Sequence, residues 1–201
     1  MNFMRQVWLT LTFYVLLIFS LAACQADLTP QWQWVRAESG LPRQAIVQAI
    51  AVNPRAPDQL WAGYYAPGGL AASRDGGQTW QASSTNVTGL ADNPVFDLLV
   101  TTSSDRPTVW AATRDGLLTS LDLGNSWQPV TAGLPAATAF ALAADATGRL
   151  YVGLDGAGIY VQSPDRTGWA GLPLAPTTIL SLAVSADGRR RYLPGPIGYL
   201  L

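Results

Sequence analysis

Residues 73–80 read Ser-Arg-Asp-Gly-Gly-Gln-Thr-Trp, and residues 120–127 read Ser-Leu-Asp-Leu-Gly-Asn-Ser-Trp. Both fit the pattern Ser-x-Asp-x-Gly-x-Ser/Thr-Trp, and their tryptophans are 47 positions apart. A shorter copy, Ser-Pro-Asp-Arg-Thr-Gly-Trp, occupies residues 163–169, and its tryptophan follows the second after 42 positions. We call these segments motif 1, motif 2 and motif 3. A period of this length indicates a chain built from repeated supersecondary units.

The residue types in the motifs predict a tight turn between two strands. The Asp can accept hydrogen bonds from amides of the turn, the Gly permits a positive φ, and the hydroxyl residue closes the loop. The Trp that follows is large enough to fill the space between strands. We therefore predict a structural role, with no catalytic residue among them. The predicted structural residues are Ser73, Asp75, Gly77, Thr79, Trp80, Ser120, Asp122, Gly124, Ser126, Trp127, Ser163, Asp165 and Trp169.

The segments around the motifs also repeat. After each Trp comes a Gly-Leu turn, then an apolar segment, a polar turn, a second segment such as Leu-Trp-Ala-Gly, and a third segment that leads into the motif. Strand, turn, strand, turn, strand, motif, strand is the order of one four-stranded antiparallel blade. The predicted first strands are 46–52, 95–100, 140–144 and 179–184, and the predicted second strands are 60–63, 109–112 and 150–153. The sequence thus predicts an all-β partial propeller of about three and a half blades over residues 31–188.

The motifs resemble the Asp-box, or bacterial neuraminidase repeat. This repeat occurs in sialidases, xyloglucan-degrading glycosidases, sortilin-type receptors and photosystem II assembly factors. The resemblance implies a propeller and no particular activity, because enzymes and non-enzymes share the repeat. A glycosidase would need two carboxylates across a cleft. Outside motifs and turns the candidates are mainly Asp97 and Glu38, and neither lies in a recognisable motif.

The last residues, 189–201, break the repeat pattern. They begin as a second strand should, but Pro194 and Pro196 fall where a sheet needs backbone amides. We predict a truncated or irregular end, or a partial propeller that closes by self-association. The run Arg189–Arg191 is interpreted as a solvated turn, with a basic binding patch as the alternative.

The N-terminus has the order of a bacterial export signal. Residues 1–23 contain Arg5, an apolar stretch and small residues, and Leu21–Cys24 resembles a lipobox. We predict a lipoprotein signal peptide over 1–23, lipidation of Cys24, and a tether over 24–30. The domain would then be held on the cell membrane, facing outside the cytoplasm. The alternatives are an ordinary cleaved signal with an incidental Cys, or an uncleaved anchor helix.

Composition limits the chemistry. The chain has 201 residues, no His, one Cys and a net charge of −1, and only 12% of its residues are charged. A basic field for nucleic acid is missing, so no nucleic-acid partner is expected. Without His, the commonest acid–base residue and metal ligand is also missing. We predict no cofactor and no metal site.

Two functions remain open at this stage. The first is a non-catalytic binding or assembly module for a protein or a glycan, with Trp32, Tyr64 and Tyr65 as possible ligand contacts. The alternative for these aromatics is packing between blades. The second function is a fragment of a sialidase-like or xyloglucanase-like glycoside hydrolase that lacks its catalytic blades.

Overall fold

The computed structural model describes residues 39–83, 90, 92–102, 106–173 and 177–187, together with the backbone of 191–193 and 199–200. All of them belong to the compact unit Ala37–Leu201. Their regular structure consists of β-strands, and no helix among them is long and apolar enough to cross a membrane. The predicted signal peptide, tether, Cys24, Trp32 and Glu38 lie outside the described residues.

The strands form four consecutive antiparallel sheets. We call these blades 1 to 4, in chain order. Blade 1 contains β1 (Ile46–Val52), β2 (Leu60–Ala66), β3 (Leu70–Ser73) and β4 (Gln81–Ala82). Blade 2 contains β5 (Val95–Thr101), β6 (Thr108–Thr113), β7 (Gly116–Ser120) and β8 (Gln128–Pro129). Blade 3 contains β9 (Ala139–Ala144), β10 (Leu150–Leu154), β11 (Gly158–Gln162) and β12 (Trp169–Gly171). Blade 4 contains β13 (Ala183–Val184), β14 (Arg191–Leu193) and β15 (Tyr199–Leu200).

These sheets confirm the predicted all-β class and the four-stranded blades. The first strands of blades 1 to 3 lie where the sequence predicts them, within one residue at each end. Blade 4 differs, because only Ala183–Val184 of the predicted strand 179–184 pairs with a neighbour. Its partner β14 ends at Leu193, directly before Pro194, which has no amide to extend the ladder. Two short strands, β14 and β15, also lie within the segment predicted as an irregular end.

Blades 1 and 2 pack through a glycine and a branched residue, and so do blade 3 and the segment that leads into blade 4. Gly63 on β2 faces Val95 on β5, and a Cβ atom added to Gly63 would lie 2.5 Å from Val95 Cγ1. The same relation joins Gly153 on β10 to Ile179, whose Cγ2 would lie 2.6 Å from an added Cβ. Any larger side chain at either glycine would push the blades apart. The close approach of these blades therefore depends on the absence of a side chain at Gly63 and Gly153.

The Gly-Leu turns place a leucine beside the tryptophan of the blade that they precede. Leu90 is fully buried in one cluster with Trp127 of blade 2. Leu41 packs against the cluster that contains Trp80 of blade 1. In blade 3, Leu134 packs in the cluster that includes Trp169. The repeated turn therefore helps to build the apolar core of each blade.

Candidate functional site

Motifs 1 and 2 form the same hydrogen-bonded turn. In motif 1, the Asp75 carboxylate accepts bonds from the Ser73 hydroxyl at 2.8 Å, the Thr79 amide at 2.9 Å and the Thr79 hydroxyl at 2.5 Å. Ser73 Oγ in turn accepts a bond from the Gly77 amide at 2.9 Å. The Trp80 indole N–H donates to the Gly77 carbonyl at 3.0 Å. Both carboxylate oxygens are thus used inside the turn.

Motif 2 repeats these contacts residue by residue. Asp122 accepts from the Ser120 hydroxyl at 2.8 Å and from the Ser126 amide and hydroxyl at 2.8 and 2.6 Å. Trp127 Nε1 donates to the Gly124 carbonyl at 3.2 Å. Burial raises the pKa of Asp122, but the bonds from Ser126 and Ser120 outweigh burial and lower the pKa below its ordinary value. An ionised carboxylate whose two oxygens both accept hydrogen bonds is suited to holding a turn. The structural role of the motif residues stays a prediction.

Motif 3 keeps part of this arrangement. Asp165 accepts bonds from the Ser163 hydroxyl and from the Thr167 amide, the latter at 3.1 Å. These bonds, with one from the Thr167 side chain, lower the pKa of Asp165 to about 2. Trp169, however, is partly exposed and belongs to β12, whereas Trp80 and Trp127 are buried ahead of their strands. Motif 3 therefore keeps the hydrogen bonds to its carboxylate, but its tryptophan is less buried.

Asp97 and Glu38 were the carboxylates singled out from the sequence, and the structure describes Asp97. Asp97 joins blades 2 and 3. Its Oδ1 accepts a bond from the Leu98 amide at 2.8 Å, and its Oδ2 accepts one from the Leu142 amide on β9 at 2.7 Å. Burial raises the pKa of Asp97, and the two amide bonds lower it by less. Because both oxygens are taken by backbone amides, Asp97 is placed as a link between sheets.

The two described tyrosines among the predicted ligand contacts lie in different places. Tyr64 is only 3% exposed and belongs to a core cluster with Trp80. Tyr64 is therefore corrected to a core residue, because alternate side chains of β2 point to opposite faces. Burial raises the pKa of its phenol to about 12. Tyr65 is 51% exposed and remains available to a ligand.

A β-bulge interrupts the first strand of each of blades 1 to 3 at an equivalent position. The pairing of β5 with β6 passes over Phe96, and the pairing of β9 with β10 passes over Phe140. In blade 1 the pairing of β1 with β2 passes over Gln48 on β1 and over Tyr65 on β2. Bulges re-aim side chains and occur often beside binding sites. The three bulges lie at the ends where the first strands begin.

The bulges bring three aromatic rings from three blades into one row. The Tyr65 ring centroid lies 6.1 Å from that of Phe96, with 58° between the ring planes. The Phe96 and Phe140 centroids are 4.8 Å apart, with 64° between the planes. We call Tyr65, Phe96 and Phe140 the aromatic row. It crosses two blade boundaries, and each of its rings keeps some exposure to solvent.

Tyr65 was predicted as a ligand contact from the sequence, whereas neither phenylalanine was. A detectable signal was present, because Phe96 and Phe140 each follow the first residue of a first strand. Each phenylalanine also lies six positions after the leucine of a Gly-Leu turn, Leu90 or Leu134.

Polar groups lie at the same ends of the strands as the row. Arg114 forms an exposed ion pair with Asp115, with Nε and Oδ1 3.4 Å apart. The Thr138 hydroxyl donates to the Arg114 carbonyl at 2.9 Å, and the Thr178 hydroxyl donates to Asp155 at 2.5 Å. Nowhere in the described part of the chain do three acidic or Cys side chains converge as metal ligands would. The row is thus an apolar strip at an end of the sheets that also carries polar groups.

No family model matches the sequence, and no curated protein matches it either. Solved structures do match. The extracellular domain of BT4673 from B. thetaiotaomicron aligns with a TM-score of 0.62 and 18% identity, over 80% of this chain and 21% of that one. The GH74 xyloglucanase from Xanthomonas campestris aligns at 0.56 and 16%, over 78% and 30%. YCF48 from Cyanidioschyzon merolae aligns at 0.54 and 15%, over 80% and 57%, and another YCF48 structure contains a bound D1 peptide.

The fold is that of a β-propeller. These neighbours share the propeller architecture with the described blades, which confirms the predicted fold class. Identities of 15–18% establish the fold and nothing finer. The chain spans between about a fifth and little more than half of the length of these neighbours.

Proposed function

We propose that this chain is an Asp-box propeller protein, exported and lipid-anchored through Cys24, that binds a protein segment or a glycan without catalysing a reaction. The observation that carries the proposal is the aromatic row. Three rings from three blades are held in contact by bulges, at an exposed end of the sheets. Aromatic side chains supply large contact areas and dominate binding energies at protein interfaces.

The geometry of the row favours an extended peptide over a flat sugar chain. Adjacent rings are tilted by 58° and 64°, so two neighbours do not present their faces in one plane. A planar ligand would stack on one ring and meet the edge of the next. The side chains of a peptide point in different directions and fit between tilted rings. We therefore put the peptide first and the glycan second.

The comparisons support an extracytoplasmic binding module in two ways. The BT4673 neighbour is an extracellular domain, which agrees with the predicted export signal. The YCF48 neighbour has been solved with a peptide bound, so a propeller of this kind accommodates a peptide. The alternative, a fragment of a glycoside hydrolase, draws on the xyloglucanase neighbour. Asp97 gives that alternative no support, because its oxygens are held by backbone amides.

A display experiment tests the binding proposal. Extended twelve-residue peptides selected on the full chain would be measured against wild type, Phe96→Ala and Tyr65→Ala. Loss of a central aromatic contact should weaken binding at least tenfold, as about 2 kcal/mol at a hot spot implies. Leu121→Ala is the matched control, because Leu121 is an exposed apolar residue on motif 2. Peptides that bind all four proteins equally would contradict the assignment of the row.

A parallel assay separates the two functions. The same proteins would be mixed with xyloglucan and with a sialylated glycan, and both retention and release of reducing sugar would be measured. We expect no hydrolysis by any of them. Glycan retention that depends on Phe96 would replace the peptide by a glycan. Sugar release would replace the binding module by an enzyme.

Fatty-acid labelling tests the anchor. Cells that express the full chain would be fed radioactive palmitate, with Cys24→Ser as the variant. Label on the wild type and no label on the variant is the expected result. Label that persists on the variant would refute lipidation of Cys24, because the chain has no other Cys.

A further inference from the structure

The turn between the second and third strands carries a charged residue at the same place in blades 2 and 3. Arg114 directly follows β6, and its amide donates to the Pro94 carbonyl at 3.1 Å. Asp155 directly follows β10, and its amide donates to the Thr138 carbonyl at 2.9 Å. Blade 1 has Pro67 directly after β2, so the blade architecture itself does not require a charge there. Equivalent positions of two successive blades therefore hold a cation and an anion.

Hydrogen bonds place both charged residues at blade boundaries next to the aromatic row. The Thr138 hydroxyl donates to the Arg114 carbonyl at 2.9 Å. Arg114 therefore lies between the starts of β5 and β9, whose phenylalanine rings are in contact. The Thr178 hydroxyl donates to the Asp155 carboxylate at 2.5 Å. Asp155 therefore lies between the start of β9 and the segment that leads into blade 4.

An exposed leucine lies on the far side of Asp155. Ile179 packs against a glycine of β10 in the way that Val95 packs against a glycine of β2. The residues that follow them, Leu180 and Phe96, therefore occupy equivalent places. Leu180 is 67% exposed. Each of the two charges thus lies between apolar residues of neighbouring blades.

Both charged side chains can still bind a ligand. The Arg114 side chain is 56% exposed, and its ion pair with Asp115 uses Nε. An exposed ion pair holds weakly, and the terminal nitrogens of a guanidinium carry further N–H donors. Asp155 is also exposed, and a carboxylate that accepts one hydroxyl bond can accept others. Arg114 and Asp155 are therefore able to form charge-assisted hydrogen bonds with a ligand.

We infer that the ligand of the aromatic row is a peptide of mixed charge, with an acidic side chain bound by Arg114 and a basic side chain bound by Asp155. This assignment rests on the proposed function, because it takes the row as the binding surface. Alternate side chains of an extended peptide lie on one face, so apolar, acidic and basic groups can reach the surface together. Complementary charges beside an apolar contact mainly set specificity and register. Arg114 and Asp155 therefore determine which end of the peptide lies over blade 2.

An exchange of charges on both partners tests this assignment. Peptides that bind the full wild-type chain would be selected from a library of twelve-residue sequences that each contain one Glu and one Lys. Exchange of the Glu and the Lys within a selected peptide should weaken its binding to the wild type by about threefold or more, as expected for exposed charge pairs. The double variant with Arg114→Glu and Asp155→Arg should prefer the exchanged peptide by a similar factor. Its net charge equals that of the wild type, so a change in the overall field cannot cause the reversal.

Single variants give a second measurement that does not depend on the double variant. Arg114→Gln and Asp155→Asn each remove one charge and should reduce the preference between the two peptides without reversing it. Arg74→Glu is the matched control, because Arg74 is exposed but directly follows β3, at the opposite end of that strand from the row. The substituted side chains are exposed, so the variants should fold, and thermal unfolding checks this.

Phe96→Ala separates a failure of this assignment from a failure of the proposed function. Phe96→Ala should weaken the binding of the selected and the exchanged peptide alike. If Phe96→Ala weakens binding but the charge exchanges change nothing, the row remains the binding surface and the roles of Arg114 and Asp155 are refuted. If no selected peptide depends on Phe96, the peptide-binding function itself fails, and the assignment fails with it.

Discussion

Motifs 2 and 3 both form the turn between the third and fourth strands of a blade, but their tryptophans are packed differently. In motif 2 the Asp122 carboxylate holds both the amide and the hydroxyl of Ser126, and Trp127 is buried. In motif 3 the carboxylate bonds survive, but Trp169 is partly exposed and lies within a strand. The hydrogen bonds of the turn therefore tolerate the loss of one residue better than the packing of the tryptophan does.

Removal of the tryptophans should separate the stabilities of motifs 2 and 3 most strongly. Trp127→Ala should lower the free energy of unfolding by about 3–5 kcal/mol, because a buried indole leaves a cavity between blades 1 and 2. Trp169→Ala should cost clearly less, since its indole is partly solvated. Denaturant unfolding of both variants measures the difference. Trp127→Phe and Trp169→Phe are the controls, and equal losses for the two alanine variants would mean that motif 3 is as tightly packed as motif 2.

Replacement of the carboxylates should have the next largest effect. Asp122→Ala removes three hydrogen bonds and leaves the buried Ser120 hydroxyl without its acceptor, which should cost about 1–3 kcal/mol. Asp165→Ala should give a smaller fall in Tm, because Ser163 and Thr167 are more exposed than Ser120 and can bond to water instead. Thermal unfolding at pH 7 provides the measurement. A larger fall for Asp165→Ala would reverse the ranking of the two turns.

Acid should weaken the motifs whose Asp carboxylates accept hydrogen bonds within the turn. Hydrogen bonds from Thr79 and Ser73 lower the pKa of Asp75 from its ordinary 3.8 to about 2 in the folded chain. A depressed pKa means that the stabilisation is present above pH 3.8 and is lost as the pH falls toward 2. Tm should therefore fall between pH 5 and pH 2, and less steeply in Asp75→Asn.

The contribution of Asp97 to stability should depend on pH with the opposite sign. Burial raises its folded pKa, so its ionisation costs stability as the pH rises above the ordinary value. Asp97→Asn should therefore make the acid fall in Tm steeper, because it removes a group that opposes the fall. An identical pH profile for Asp97→Asn and wild type would show that the two amide bonds cancel the effect of burial.

Sequence reasoning captured the blades because their signals are local. Turn residues, apolar strands and the motif recur at a fixed period, and the first strand of blade 1 was predicted at its observed bounds. Blade 4 was missed in part because its ladder depends on how far β14 extends, which is a property of the partner strand.

The repeat spacing marks the two phenylalanines of the candidate site, but no local pattern shows that their rings are in contact. A bulge depends on how two strands pair. The contact between Phe96 and Phe140 can therefore be predicted only when both pairing registers are known. Tyr64 and Tyr65 illustrate the same limit, because the alternation of β2 buries the first and exposes the second. Their order in the sequence does not reveal which face meets the core.

Substitutions at the fourth residue of each motif should change stability least. Gly76, Leu123 and Arg166 have φ angles of 72°, 61° and 62°, so all three motifs need a left-handed residue there. Gly76→Ala should lower the free energy of unfolding by about 1 kcal/mol, because a Cβ is strained in this conformation. Leu123→Gly relieves that strain but loses packing against the core of blades 1 and 2, so its net effect should be close to zero. Chemical denaturation of both variants decides between the two terms: a loss above about 2 kcal/mol for Leu123→Gly would show that packing of the leucine outweighs the strain of its backbone.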